Sequence, residues 1–182
     1  MVLPILQDGA DTLRTPSDPL PERLFGTPEL RKMITDMAET VAKEPDGVAI
    51  AAPQVGIPYQ IFLVRYDRME PLGEGERIEE RAPDVGVFIN PKLSKLSRKS
   101  SEVDEGCLSV RGVYGSTVRK DRATIEARDE EGVHFTRGAG GLLAQAFQHE
   151  VDHLNGILFV DHAVKIWKPR AKKGDSDDIH AA

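Results

Sequence analysis

The amino-acid sequence predicts an α+β protein, with helices segregated from a mostly antiparallel array of strands. Two segments place apolar residues at helical spacing, 28–43 near the start and 141–155 near the end. Between them, VFINPKLSKLS, KSSEVDEGCLSV, GSTVRKDRATIEARD and GVHFTRGAG alternate β-branched and polar residues, separated by turn residues. Strands joined so closely pair as antiparallel neighbours.

Residues 1–26 are interrupted by Pro4, Pro16, Pro19 and Pro21, with Gly9 and Gly26 between them, so regular structure there is short and the segment wraps the domain. At Thr27 a capping hydroxyl is followed by Pro28, Glu29 and then Leu30, Met33, Ile34, Met37 and Val41, the start and apolar face of a helix. Pro45, Asp46 and Gly47 end it. Ile61, Phe62, Leu63 and Val64 read as a buried strand, and the charged stretch 67–84 as a surface insertion. Residues 129–132 suit a hairpin turn. The second helix carries Leu142, Leu143, Ala146, Phe147 and Leu154, with Gly156 as its stop. ILFVDHAV, residues 157–164, is expected to form a last short strand. Beyond it the apolar period is lost, which divides the chain into a catalytic domain, 1–166, and a mobile tail, 167–182.

With 182 residues, 40% of them hydrophobic, the chain can bury one core without disulfides. Thirty acidic against 24 basic residues argue against a dedicated nucleic-acid binder, and DNA is not an expected partner. The single cysteine, Cys107, excludes an intrachain disulfide and points to a reducing compartment. No apolar run has the length of a membrane span, and the opening MVLPILQDGADTLR lacks the pattern of a signal peptide, so the expected location is cytoplasmic.

The chemistry is concentrated in His149-Glu150-Val151-Asp152-His153 within the second helix. Residues four apart differ by about 40° around a helix and rise about 6 Å, so both imidazoles reach one metal ion. Glu150, one step round, is displaced from that face yet close enough to take a proton from water there, as a general base does. A plain solvated helix is the competing reading. A closed structural metal site would want four protein ligands and more cysteines than this chain has. Cys107, in EGCLSV, is the candidate third ligand; on residue type alone a buried core cysteine serves equally well. Nothing nearby would activate it as a nucleophile, because Asp104 and Glu105 precede it. In GVAIAAPQVG, Ala49, Ala51 and Ala52 permit close backbone approach, and Gln54 offers an amide able to donate to an oxyanion.

GVAIAAPQ, EGCLS and QHEVDH, in this order and at these separations, resemble the three signature motifs of peptide deformylases, metalloenzymes that remove the N-formyl group from new polypeptides. The resemblance runs from about residue 5 to residue 162 and implies antiparallel sheets packed around a central metal-bearing helix. It implies Cys107, His149 and His153 as metal ligands, Glu150 as base and then acid, and Gln54 with the Leu108 backbone N–H as the oxyanion site. Substrate would lie extended beside Val48 and Gly106, its first side chain directed at Leu142. The chain departs from the family pattern at Ala49, where a second glycine is usual, and at Arg111-Gly112, where many bacterial members have proline. A Cys/His/His set suits iron(II), zinc, nickel or cobalt, and the resemblance implies iron(II).

The expected substrates are N-formylmethionyl peptides. The rival readings are a metallopeptidase with the same helix and an inert protein that kept only peptide binding. Gln145, one turn before His149, is expected to face the substrate pocket and make its mouth partly polar. Glu105 and Arg119 are expected to pair across neighbouring strands and steady the loop that carries Cys107. Lys165, Lys168, Arg170, Lys172 and Lys173 provide either a contact with ribosomal RNA or a solvated tail, and Trp167 either a base-stacking ring or an anchor for that tail.

Overall fold

The structure is a computed structural model that describes residues 1–69, 71, 73 and 75–169. Helix α1 (Pro28–Lys43) begins where the hydroxyl of Thr27 accepts a hydrogen bond from Leu30 N (3.2 Å) and Pro28 takes the first helical position. It buries Leu30, Met37 and Val41 and stops at Glu44, whose extended backbone precedes Pro45. Strands β1 (Ala49–Ala51) and β2 (Ile61–Arg65) follow, then the long β3 (Val85–Leu96), β4 (Ser100–Gly106), β5 (Tyr114–Lys120), β6 (Arg122–Arg128) and β7 (His134–Gly140). Helix α2 (Gly141–Leu154) and the short strand β8 (Lys165–Trp167) complete the described elements.

The strands form two sheets, β1-β2-β3-β6-β7 and β4-β5-β8, with antiparallel pairing throughout. All five residues of β2 are buried because the larger sheet is covered on both faces, which accounts for the unbroken apolar run in the sequence. Ile61 and Leu63 pack into a core with Leu30, Met37 and Val41 of α1. Phe62 and Val64 enter a second core with Phe147 of α2, where the Phe62 and Phe88 rings stack at 4.6 Å and Phe147 meets Phe88 edge-on at 5.0 Å. Helix α2 therefore lies against the sheet with one face committed to packing. No helix among the described residues is long and apolar enough to cross a membrane.

The hairpin at 129–132 joins β6 to β7, closed by Asp129 N to Val133 O (3.0 Å) and Gly132 N to Asp129 O (3.0 Å). Residues 157–164 do not form the expected strand. Phe159–Asp161 is a 3-10 turn, started by Leu158 N donating to the Asp161 carboxylate (2.8 Å), and the strand begins only at Lys165. An apolar run had suggested extension, but Leu158 and Phe159 are buried from within that turn. Strand β8 reaches Trp167, opposite Tyr114 of β5. Residues 170–182 of the expected tail lie outside the described residues.

The N-terminal segment does wrap the domain and closes the far end of α2. Gly156 has φ +74°, and a Cβ there would sit 2.7 Å from the carbonyl oxygen of Arg14. Gly156→Ala should lower the unfolding free energy by about 2 kcal/mol or more, the sum of left-handed strain and a backbone collision. Urea unfolding of the two proteins measures it, and a loss below about 0.5 kcal/mol would mean the segment yields freely.

Candidate metal and catalytic site

Two elements, α2 and the loop after β4, meet at a largely buried corner. Cys107 follows β4, His149 and His153 lie one turn apart on α2, and one donor atom from each falls within 4.8 Å of the others. Cys107 Sγ is 3.2 Å from His153 Nε2. A cysteine sulfur and two imidazoles clustered this closely, from a 14-residue helix and a loop fixed by β4, fit a divalent ion of borderline softness.

Glu105 governs the geometry of this cluster. Two residues before Cys107, it is buried at 4% exposure and accepts Arg119 Nε (2.5 Å) and Nη2 (3.0 Å) from the adjacent strand β5. Its Oε2 also lies 2.9 Å from His149 Nδ1, which leaves the opposite ring nitrogen of His149 to face the metal cluster. Arg119 reaches on to Asp152 of α2 through Nη1 (2.6 Å). The expected pairing of Glu105 and Arg119 is thus present, and it orients a histidine as well as a loop. Sequence reasoning missed that second contact, for which the nearness of Glu105 to Cys107 in the chain is the one local signal.

The electrostatics separate two carboxylates. Burial raises the Glu105 carboxyl, but hydrogen bonds to His149 and Arg119 outweigh it and hold the group far below the ordinary range. Glu150 is 3% exposed, and burial pushes its carboxyl up to about 7, with His149 opposing and Glu105 and Asp152 adding to the rise. Its Oε2 is buried without a hydrogen-bond partner, as is Nδ1 of His153. For His149, burial lowers the imidazole, yet the contacts with Cys107 and Glu105 raise it well above its usual value; burial and then the charge of His149 lower His153.

Gln54 lies across the cluster. Ala51 N donates to its Oε1 (2.8 Å), so the amide can face only one way, with Nε2 directed at Ser109 Oγ (3.2 Å) and Cys107 Sγ (3.7 Å). Ser109, absent from the sequence reading, ties this corner together: its backbone N approaches Cys107 Sγ at 3.4 Å. Leu108 carries its backbone into the same corner, and its carbonyl accepts from the Gln7 side chain (3.0 Å).

A cleft of about 480 Å³ opens from Glu150, Gln54 and Cys107 to the surface. Val48 lies along one wall, Gly106 and Leu108 along the other, and Leu142 and Gln145 line it from α2. Gln145 is on the cleft, but its amide is not free at the mouth: Nε2 donates to Asp104 O (2.8 Å) on the outer edge of β4. The ring of Tyr114 covers Gly106 so closely that a Cβ there would be 3.0 Å from it. Glu44 and Arg111 form a bidentate ion pair at the rim (2.9 and 3.0 Å).

Comparison with known proteins gives one family. The family model described as polypeptide deformylase matches residues 2–168. The peptide deformylase of Chloroflexus aurantiacus is 42% identical over 144 residues, covering 78% of this chain and 73% of that protein. That of Salinibacter ruber is 37% identical over 164 residues, covering 89% and 80%. Among solved structures, the class I type b peptide deformylase of Acinetobacter baumannii with Met-Ala-Ser bound superposes with a TM-score of 0.78 at 30% identity, over 89% of this chain and 98% of that one.

The raised carboxyl at position 150 has a thermodynamic signature in metal-free protein. A folded-state value near 7 against about 4.5 unfolded means that ionised Glu150 is tolerated better in the unfolded chain. Its stability contribution is full below pH 4.5 and is lost as pH rises through 7. Glu150→Gln should therefore match wild type in denaturant unfolding at pH 4.5 and exceed it at pH 8, by on the order of 3 kcal/mol. Equal stability of the two proteins at pH 8 would show that the carboxyl is not held in an unfavourable charged state.

Proposed function

The chain belongs to the polypeptide deformylase family, and from that premise we propose how its residues hydrolyse the N-formyl group of newly made polypeptides, releasing formate and a free N-terminus. It is a hydrolase of a metal-dependent family. The observation that supports this reading most directly is the convergence of Cys107, His149 and His153 beside the buried Glu150 at the inner end of the cleft.

Cys107, His149 and His153 hold the metal. A divalent ion so bound supplies Lewis acidity toward the formyl oxygen and makes water a better nucleophile at neutral pH. Iron(II) is the ion we propose, from the family resemblance, because the donor set also suits zinc, nickel and cobalt. Glu150 takes the proton from the attacking water as a C–O bond forms at the formyl carbon. The same carboxyl then gives that proton to the departing amine as the C–N bond breaks. A raised proton affinity suits both halves of this cycle, since the group must be neither a strong acid nor a committed base. Gln54 Nε2 and the Leu108 N–H donate to the developing oxyanion; the Ala51 N–H fixes beforehand which end of the amide faces the cluster.

N-formylmethionyl peptides lie extended between Val48 and Gly106, with the methionine side chain against Leu142 and Gln145. The catalytic domain in this reading, acting in the cytoplasm, runs one residue past the expected boundary at 166, because Trp167 closes β8, and the tail follows it. The cations of 165–173 are read first as a solvated basic stretch and second as a salt-sensitive contact with ribosomal RNA; Lys165 is exposed on β8. Co-sedimentation with ribosomes of the full chain, against one ending at residue 166, tests that contact.

The chemistry is tested with protein loaded anaerobically with iron(II), by formate release from formyl-Met-Ala-Ser. Glu150→Ala should retain metal and lose about 10²- to 10⁴-fold in kcat, the usual worth of a general acid–base group. Cys107→Ser should instead lose metal in chelator competition, because a hydroxyl is a poor replacement for a thiolate. Near-normal turnover in the first variant, or unchanged metal affinity in the second, would remove the assigned role.

A further inference from the structure

One wall of the cleft is held from behind by a residue outside every signature motif. Helix α1 ends without a glycine: Glu44 is extended (φ −87°, ψ 118°) and Pro45 follows, so the last carbonyls lack the usual left-handed cap. The guanidinium of Arg68 serves in its place. Nη1 donates to Glu44 O (2.6 Å) and Gly47 O (2.8 Å) and approaches Val41 O at 3.4 Å, while Nη2 donates to Ala42 O (3.0 Å). A cation at a helix C-terminus is also favoured by the helix dipole. The turn so gathered is tight: a Cβ on Gly47 would lie 2.9 Å from both Val41 O and Glu44 Cβ. Glu44, Gly47 and Val48 all line the cleft, whereas Arg68 does not.

Arg68 is itself fixed. It ends a 3-10 turn directly after β2, where the buried pair Arg65–Asp67 (2.5 and 2.8 Å) is joined by Asp84 N to the same carboxylate (3.1 Å) and Tyr66 N to Asp84 O (2.8 Å). Both ends of the 67–84 insertion are thereby clamped together, and Arg81 Nη1 adds a bond to Asp67 O (2.8 Å). The insertion presents Arg68 at a defined place.

We propose that Arg68 is a positioning residue for the substrate: by gathering the carbonyls of 41–47 it sets the backbone of Gly47 and Val48 along which the peptide lies, which makes the turn after β2 that carries Arg68 part of the substrate-binding apparatus. The inference rests on reading the cleft as the formyl-peptide site. Its effect falls on binding more than on chemistry, because the catalytic groups have separate supports. Cys107 and His149 depend on Glu105 and Arg119, and Gln54 depends on Ala51 N within a strand paired to β2.

The test uses the metal-loaded full chain, formyl-Met-Ala-Ser, and the variants Arg68→Gln and Arg68→Lys. Arg68→Gln should raise KM roughly tenfold with kcat within about twofold of wild type, the pattern of lost uniform binding. Arg68→Lys, with one ammonium in place of a planar fork, should fall between and keeps the test open if the glutamine variant folds poorly. Hydrogen exchange at the Gly47 and Val48 amides should accelerate in both variants while the amides of α2 keep their wild-type rates. An unchanged KM in active variants, or unaltered exchange at 47–48, overturns the role of Arg68. Wild-type protein that releases no formate overturns the formyl-peptide reading instead, and the exchange experiment still decides whether Arg68 holds the wall.

Discussion

A single buried carboxylate, Glu105, couples the two halves of the site. It receives the fork of Arg119 from the neighbouring strand and lies against Nδ1 of His149 on α2, two residues upstream of Cys107. Arg119 continues to Asp152, so β4, β5 and α2 share one ionic cluster. Such a cluster is a weak source of stability, because desolvation offsets most of its attraction. Its consequence is orientation. Aromatic packing of Phe147 against Phe62 and Phe88 sets the depth of α2, but packing alone leaves the rotation of an imidazole free. The carboxylate removes that freedom and leaves the other ring nitrogen of His149 for the cluster with Cys107 and His153.

The same cluster explains how two glutamates in one site come to opposite behaviour. Glu105 is saturated with donors and stays ionised, whereas Glu150, equally buried, has one oxygen without a partner and a carboxyl raised to about 7. One is a fixed anion that orients; the other is a carboxyl that keeps its proton up to near-neutral pH. Environments that push paired titratable groups apart are how a protein separates such roles. The supports divide in the same way: His149 is held through Glu105 and Arg119, and the carbonyls at the end of α1 by Arg68.

Local signals made much of this legible. Thr27 and Pro28 mark the start of α1, the burial of β2 on both faces follows from its unbroken apolar run, and the spacing of His149 and His153 puts both rings on one side of α2. What could not be read were side-chain contacts to the backbone, whether local or across large separations. Leu158 N turning to the Asp161 carboxylate converts an apolar run into a 3-10 turn, and no periodicity reports such a cap. Gln145 was expected on the cleft and lines it, yet its amide is drawn to Asp104 O, which depends on how closely β4 passes α2. Arg68 looked like one more charge in a polar insertion because its partners, backbone carbonyls of α1 and the turn after it, have no sequence signature.

The orienting role of Glu105 can be measured directly. Glu105→Gln preserves shape but removes the charge that Arg119 and His149 share, so metal affinity in chelator competition should fall about 10- to 100-fold while the far-ultraviolet circular dichroism stays that of wild type. Metal affinity equal to wild type in a folded Glu105→Gln protein would contradict the account, since the imidazole would then be oriented without the carboxylate.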